Sequence, residues 1–184
     1  MPSLETRFEN LRKDLETNYE GFNNLADENS GLFIYNPSEE KEVIKEVKRL
    51  SRKLEKNYEV TAISMFELLF EGLEELTAEG KEFIYEQERK NPEELTEDAH
   101  GPLLDYISEE IIENDKEMDE GITLIYRCGA LYPFLRIHSI TAKLQGRLEN
   151  PTMIFYPGEK EGQELRFLNA SSQKGDYRAK IYEG

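Results

Sequence analysis

Five segments of the chain carry apolar residues at the spacing of a helix face, and short continuous apolar runs lie between them. Recurrence at i, i+3 and i+4 predicts helices that bury one face against a core. The first of them begins after Ser3, a residue type favoured at helix N-caps. The predicted helices span residues 3–20, 39–56, 64–90, 102–118 and 132–148.

The runs between these helices are short, β-prone and bounded by turn-forming residues. They predict strands at 31–35, 58–63, 121–126, 152–156, 164–168 and 177–182. Strands that alternate with helices predict an α/β domain of three layers, with a largely parallel sheet flanked by helices. A degenerate P-loop-like or Rossmann-like core is one form of this class that the pattern leaves open.

The domain organisation follows from the length and the spacing of these elements. A chain of 184 residues has the usual size of one domain. We therefore expect a single α/β domain over residues 1–184, made of an N-terminal helix at 3–20 and a core at 31–184. The polar stretch 88–102 contains two prolines and is expected to be an exposed connection.

Charge is distributed unevenly along the chain. The formal net charge is -16, yet residues 1–120 hold 14 basic and 33 acidic side chains, whereas residues 121–184 hold 9 and 6. Generic binding to nucleic acid depends on Lys and Arg side chains that neutralise phosphates, so the overall charge argues against it. The last third of the chain is where an anion or an acidic partner is expected to bind.

Cysteine content and hydropathy indicate the compartment. The single cysteine, Cys128, cannot form an internal disulfide, and with two histidines it cannot complete a four-ligand zinc site of those residue types. No apolar run approaches the roughly 20 residues that a membrane span needs, and the first residues lack the apolar core of a signal peptide. These features predict a cytoplasmic protein that does not bind membranes.

In a parallel sheet, ligands usually lie beyond the carboxyl ends of the strands. Asn36 and Ser38 follow the first predicted strand, and a strand–glycine–helix arrangement around Gly129 follows the strand at 121–126. A phosphate loop needs several glycines and a Lys-Ser/Thr pair, which are missing here, so a tight turn is favoured over an ATPase. The sequence therefore predicts no catalytic constellation, no cofactor and no metal site.

Two side chains near this turn have both a chemical and a structural interpretation. His138 is a candidate general acid or base, but a buried structural histidine is favoured because no nucleophile accompanies it. Cys128 is a candidate nucleophile, but a lone cysteine after a buried strand is more often an apolar filler. Arg136, Ile140, Lys143 and Arg147 share one face of the predicted helix, which is either a basic patch for an acidic partner or phosphate, or a solvated surface.

A set of motifs in the last third resembles the BrxB family of BREX phage-defence systems. Residues 131–138 read LYPFLRIH and residues 144–146 read LQG. They are followed by IFYPG at 154–158, GQ at 162–163, LR at 165–166 and YRA at 177–179. The strand at 31–35 with the following Asn-Pro and charged helix is also similar to the family, whereas residues 159–161 and 169–176 depart from it.

The resemblance implies a small, non-enzymatic component of a multi-protein system that restricts phage while host DNA is marked by methylation. The partners it implies are other BREX components, foremost the phosphatase-like PglZ, and the isolated subunit is not expected to bind nucleic acid directly. The alternatives are a degenerate nucleotide- or phosphate-binding sensor within the same system and, less favoured, direct DNA contact inside the assembly.

The candidate partner- or ligand-binding residues come from the motifs and the predicted strand ends. The turns at 132–134 and 156–158 are expected to touch, with Gln145, Arg166 and Arg178 forming hydrogen bonds across that edge or presenting a partner surface. The full candidate set is Arg127, Tyr132, Arg136, His138, Gln145, Tyr156, Gly158, Arg166 and Arg178.

Overall fold

A central parallel sheet organises the computed structural model, which describes residues 2–17, 19, 30–76, 92–161, 164–168 and 180–182. Five strands lie side by side in the order β2-β3-β4-β1-β6, and β5 pairs only with β4. All pairings along the five-strand path are parallel, whereas β5 runs antiparallel to β4. The strands are β1 (Ser30–Tyr35), β2 (Glu59–Ser64), β3 (Gly121–Tyr126), β4 (Thr152–Glu161), β5 (Glu164–Phe167) and β6 (Lys180–Tyr182).

Helices cover both faces of the sheet and give the three layers that the sequence predicts. On one face, α1 and α2 pack against alternate strand residues such as Phe33 and Phe155; on the other, the remaining helices pack against Leu32 and Ile154. The helices are α1 (Leu4–Thr17), α2 (Glu40–Leu54), α3 (Met65–Leu76), α4 (Pro92–Lys116) and α5 (Ile137–Leu144). The predicted α/β class with a parallel sheet is thus confirmed.

The first two helices begin within one residue of their predicted starts, the first after the predicted cap Ser3 and the second after a capped 3-10 turn. Ser3 accepts a hydrogen bond from the Thr6 backbone N–H at 3.2 Å. Asn36 caps the 3-10 turn Pro37–Glu39 that leads into α2. In return, the Glu39 carboxylate accepts a hydrogen bond from the Asn36 N–H at 3.2 Å. This reciprocal capping satisfies donors that a helix start otherwise leaves open.

Three predicted boundaries are wrong. Residues 92–101 belong to α4, which continues through Pro102, so the stretch 88–102 is not an irregular connection over its described part. Of the helix predicted at 132–148, only Ile137–Leu144 is α-helical (α5); a segment with a cis Tyr132-Pro133 bond precedes it and follows the 3-10 turn Cys128–Leu131. The strand predicted at 152–156 extends to Glu161.

Other predictions fall partly outside the described residues. These are the second half of the helix at 64–90, and the segment 177–182, of which 180–182 forms β6.

A buried polar cluster holds the amino ends of β3 and β4 together. The Asn150 side chain accepts a hydrogen bond from the Gly121 N–H at 2.9 Å and donates to the Asp115 carbonyl at 2.9 Å and the Met118 carbonyl at 3.3 Å. Asp115 in turn accepts from the backbone N–H of Asn150 at 3.3 Å and of Glu149 at 2.6 Å. The end of α4 and the starts of two strands are thereby joined away from the candidate site.

No helix within the described ranges is both long and apolar enough to cross a membrane.

Candidate functional site

The carboxyl edge of the sheet brings together the ends of β1, β3 and β4. Arg127 leaves β3 in the left-handed region at φ 58°, a conformation that turns the chain sharply into the 3-10 turn Cys128–Leu131. This turn packs on β4 and on α3, and its Cys128 and Leu131 side chains are buried. The chain after Leu131 is therefore directed outward, beside the first turns of α3.

Beneath this edge, buried Tyr35 and Cys128 lie near the half-buried Glu40. The Tyr35 hydroxyl donates a hydrogen bond to the Glu40 carboxylate. Burial, and then the nearby Glu40 charge, raise the pKa of the Cys128 thiol. Burial and the same carboxylate raise the pKa of the Tyr35 hydroxyl. A thiol that is buried and protonated at neutral pH fits the apolar filler that the sequence favours rather than a nucleophile.

The glycines and caps near this edge are surrounded by the chain's own atoms. The Asn36 side chain already accepts a hydrogen bond from the Ser38 N–H at 3.0 Å. A Cβ built on Gly129 would lie 3.4 Å from Leu168, and one built on Gly158 would lie 2.0 Å from the Arg166 carbonyl oxygen. A Cβ on Gly158 would thus clash with the β4–β5 hairpin, whereas one on Gly129 would make ordinary van der Waals contacts with Leu168 and Pro157.

Residues 156–158 do not form the sharp turn expected from Tyr-Pro-Gly. They lie inside β4, where Pro157 is the last residue opposite β1 and Gly158 is the first opposite β5. Tyr156 is fully buried, with its ring 5.3 Å from that of Phe167. The expected contact of two turns is instead the 3-10 turn Cys128–Leu131 lying against β4.

The predicted basic helix face is also wrong. Arg136 precedes α5 in an extended conformation, and Ile140 is buried. Lys143 forms an ion pair with Asp105 at 2.6 Å, and Arg147 forms one with Glu109 at 2.8 Å, both across to α4. Two of the three cations are therefore used to join helices of the same chain, which supports the structural interpretation of this helix.

The remaining candidates do not converge on one point. His138 lies in the first turn of α5 and is half-buried rather than buried. Gln145 is exposed just before β4 begins, toward the amino ends of the strands, whereas exposed Arg166 lies opposite Glu159 beyond the carboxyl edge. Gln145 and Arg166 are thus separated, and Arg178 lies outside the described residues.

Three candidates do share the outward side of the carboxyl edge. Tyr132 is 62% exposed, Arg136 is exposed and Arg127 is half-buried. Within the described residues, neither arginine forms an ion pair with a carboxylate. In a chain with 39 acidic and 23 basic residues, two such arginines and an exposed tyrosine between residues 127 and 136 are a local exception.

Two exposed aromatic residues on α3, Phe66 and Phe70, were not predicted as candidate site residues, although Phe66 contacts Arg127. The apolar pattern assigns Phe66 to the inner face of its helix, but α3 buries Met65, Leu68 and Leu69 and leaves Phe66 and Phe70 exposed. The signal was present in the sequence MFELLF, which carries more apolar residues than one buried stripe accommodates.

A groove of about 500 Å³ between α1 and α2 is lined by charged side chains that pair with one another. Hydrogen bonds from Arg12 and then Lys53 lower the pKa of Glu9 to about 2. Arg49 pairs with Glu5 at 2.9 Å across the same groove. The groove is thus an ion-pair network between two helices.

Over the described part of the chain, no cluster of His, Cys, Asp and Glu side chains has the arrangement that would hold a metal ion.

The family model described as "BREX protein BrxB" matches residues 61–181. A curated protein of Escherichia coli O9:H4 (strain HS), "BREX protein BrxB", is 26% identical over 183 residues, covering 97% of this chain and 90% of that protein. No solved structure matches the chain.

Proposed function

Since this chain belongs to the BrxB family, a component of the BREX phage-defence system, we propose that it acts as a non-enzymatic interaction subunit of the BREX assembly and that PglZ is its main partner. The observation that carries the proposal is the outward side of the carboxyl edge. There Arg127 and Arg136 have no carboxylate partner within the described residues, and Tyr132 is exposed.

This surface has the composition of protein interfaces. Tyr and Arg are enriched at the residues that contribute most to binding between proteins, because they combine apolar area with directed hydrogen bonds. Lys143 and Arg147, at the other end of α5, are ion-paired with α4, whereas Arg127 and Arg136 form no ion pair with a described carboxylate and are our candidates to meet a partner's carboxylates.

The test is association of the full chain with purified PglZ, followed by pull-down and calorimetry. Arg136→Glu is expected to weaken binding at least tenfold, because a charge reversal at an interface places like charges together. Lys48→Glu, an exposed reversal on α2 across the sheet, is the matched control and is expected to bind like wild type. Absence of wild-type binding to PglZ and to the other BREX components would contradict the proposed function.

The nucleotide- or phosphate-sensor alternative is tested separately. The Asn36 oxygen already accepts a hydrogen bond from the Ser38 N–H, and Gly158 packs closely against the Arg166 carbonyl, which favours the docking role over a phosphate site. Calorimetry with ATP, with and without magnesium, is expected to give no heat at millimolar nucleotide. Anisotropy with duplex DNA at low salt is expected to show no binding, since electrostatic association is strongest there.

A further inference from the structure

Three large apolar side chains are exposed among the described residues: two contact each other on α3, and the third follows the 3-10 turn that packs on this helix. Phe66 is 39% exposed, Phe70 is 45% exposed and Tyr132 is 62% exposed. Phe66 and Phe70 are one helical turn apart on α3, with ring centroids 4.9 Å apart. Tyr132 follows directly on the 3-10 turn that packs against α3. Exposed aromatic residues that cluster in this way mark an interaction site more often than isolated ones do.

Arg127, which directly precedes the same 3-10 turn, contacts the aromatic pair on α3. Its guanidinium carbon lies 4.1 Å from the centroid of the Phe66 ring, in a cation–π arrangement. When a guanidinium stacks on an aromatic ring, its N–H groups point outward in the guanidinium plane and can still donate hydrogen bonds. Phe66, Phe70, Arg127 and Tyr132 are called the aromatic patch below.

The charges around the aromatic patch select the chemistry of its partner. Arg127 within the patch and Arg136 four residues beyond Tyr132 form no ion pair with a described carboxylate. On the other side, exposed Glu67 and Glu71 follow Phe66 and Phe70 along α3. The phosphates of a nucleic acid strand that crosses the patch would be repelled by these carboxylates. A single carboxylate of a partner protein, placed next to the arginines, would not be repelled in this way.

We propose that the aromatic patch docks a segment of a partner protein in which an apolar side chain, seated against Phe66 and Phe70, is adjacent to an acidic residue that pairs with Arg127 and Arg136. This inference rests on the proposed function, of which it names the surface and the chemistry of the partner. Phe, Tyr and Arg in a compact group match the anchors that dominate binding energy in protein interfaces.

The test compares two double variants of the full chain for binding to purified PglZ. Phe66→Ser with Phe70→Ser is expected to weaken binding by about 30-fold or more, because buried aromatic anchors contribute this much. Glu67→Ser with Glu71→Ser, on the same two turns of α3, is the matched control and is expected to bind within about threefold of wild type. Circular dichroism checks that both variants fold, and Tyr132→Ser replaces the phenylalanine variant if that one does not.

Charge is tested by Arg127→Gln with Arg136→Gln, which is expected to weaken binding about tenfold and to flatten its salt dependence. If the phenylalanine double variant binds PglZ as tightly as wild type does, the proposal about the aromatic patch is wrong and the proposed function still stands. No wild-type binding to any BREX component would overturn the proposed function itself.

Two other occupants would also overturn the proposal. If the occupant is a second copy, sedimentation shows a concentration-dependent dimer that the phenylalanine variant loses. If it is single-stranded nucleic acid stacked on the rings, a labelled oligo-dT binds at low salt and the variant does not bind it.

Discussion

Replacement of Asn150 by alanine is expected to destabilise the protein more than any other single amide truncation among the contacts described above. The Asn150 side chain makes two hydrogen bonds of 2.9 Å, one from the Gly121 N–H and one to the Asp115 carbonyl. Two longer ones, of 3.3 Å, join it to the Tyr19 hydroxyl and the Met118 carbonyl. The residue is 2% exposed, so water does not replace these bonds without opening the structure.

The magnitude follows from the number of bonds and the burial of their partners. Each well-formed bond contributes about 1 kcal/mol net, and a buried donor left without a partner costs about 1–3 kcal/mol. Tyr19 keeps its bond to the Gly121 carbonyl at 3.1 Å, so the main loss falls on the Gly121 N–H and the Asp115 carbonyl. The expected loss is about 3 kcal/mol in the free energy of unfolding, or roughly 6–12 °C in Tm for a domain of this size.

The assay is urea unfolding followed by circular dichroism, with Asn114→Ala as the matched control. Asn114 is half-exposed on α4 and donates one hydrogen bond to the Glu110 carbonyl at 2.7 Å. Its replacement is expected to change stability by less than about 1 kcal/mol, because alanine favours the helix and one bond is lost. A loss for Asn150→Ala no larger than for Asn114→Ala would refute this account of the cluster.

Three further predictions concern buried groups and glycines. Burial raises the pKa of Asp115, so the folded protein binds the carboxyl proton more tightly than the unfolded chain does. The stability that this bound proton provides is present at low pH and is lost as the pH rises through the raised pKa. Asp115→Asn is therefore expected to be at least as stable as wild type at pH 7, with an advantage that shrinks toward pH 4 in urea titrations; a growing advantage would contradict the sign. Cys128 is expected to resist a thiol reagent at pH 8 until guanidinium unfolds the chain, and labelling of the native protein would contradict its burial. Gly158→Ala is expected to lower Tm strongly because its Cβ would lie 2.0 Å from a backbone oxygen, whereas Gly101→Ala, with open space in α4, is expected to add about 0.5–1 kcal/mol; equal effects would contradict the packing.

Local patterns were enough to predict the fold class and the starts of the first two helices. The apolar run at 31–35 and the cap at Ser3 are short-range signals, and the structure shows both, as β1 and as the hydrogen bond from the Thr6 N–H to Ser3. The resemblance to the BrxB family, read from the motifs in the last third, was likewise confirmed. Whether the motif residues bind a partner stays a prediction.

The errors arise where distant parts of the chain decide the local structure. The predicted helix begins at residue 102, yet α4 begins at Pro92 and contains Pro102. The part after Pro102 is anchored by Leu103, Ile107 and Ile111, which pack into the core. Core packing of this kind stabilises a helix in spite of the backbone hydrogen bond that an internal proline removes.

Ion pairing between helices is equally invisible in a single helical pattern. Lys143 and Arg147 are spaced four residues apart, as are Asp105 and Glu109, and the two pairs match across the α4–α5 contact. The helical pattern of residues 132–148 shows a basic face but not which helix lies opposite it. The exposed Phe66 and Phe70 were missed for the same reason, since an apolar residue is assigned inward until its neighbours are known.

The strand order determines when β1 can pair with its neighbours during synthesis of the chain. Ser30 of β1 pairs with Thr152, and Gly31 pairs with Lys180, so β1 must wait for partners more than a hundred residues later. At about 5–20 residues per second, the ribosome needs roughly 6 to 30 seconds to supply them. Such non-local contacts slow folding and leave the apolar run at 31–35 exposed in the nascent chain, so a chaperone is expected to bind the N-terminal half until β6 emerges.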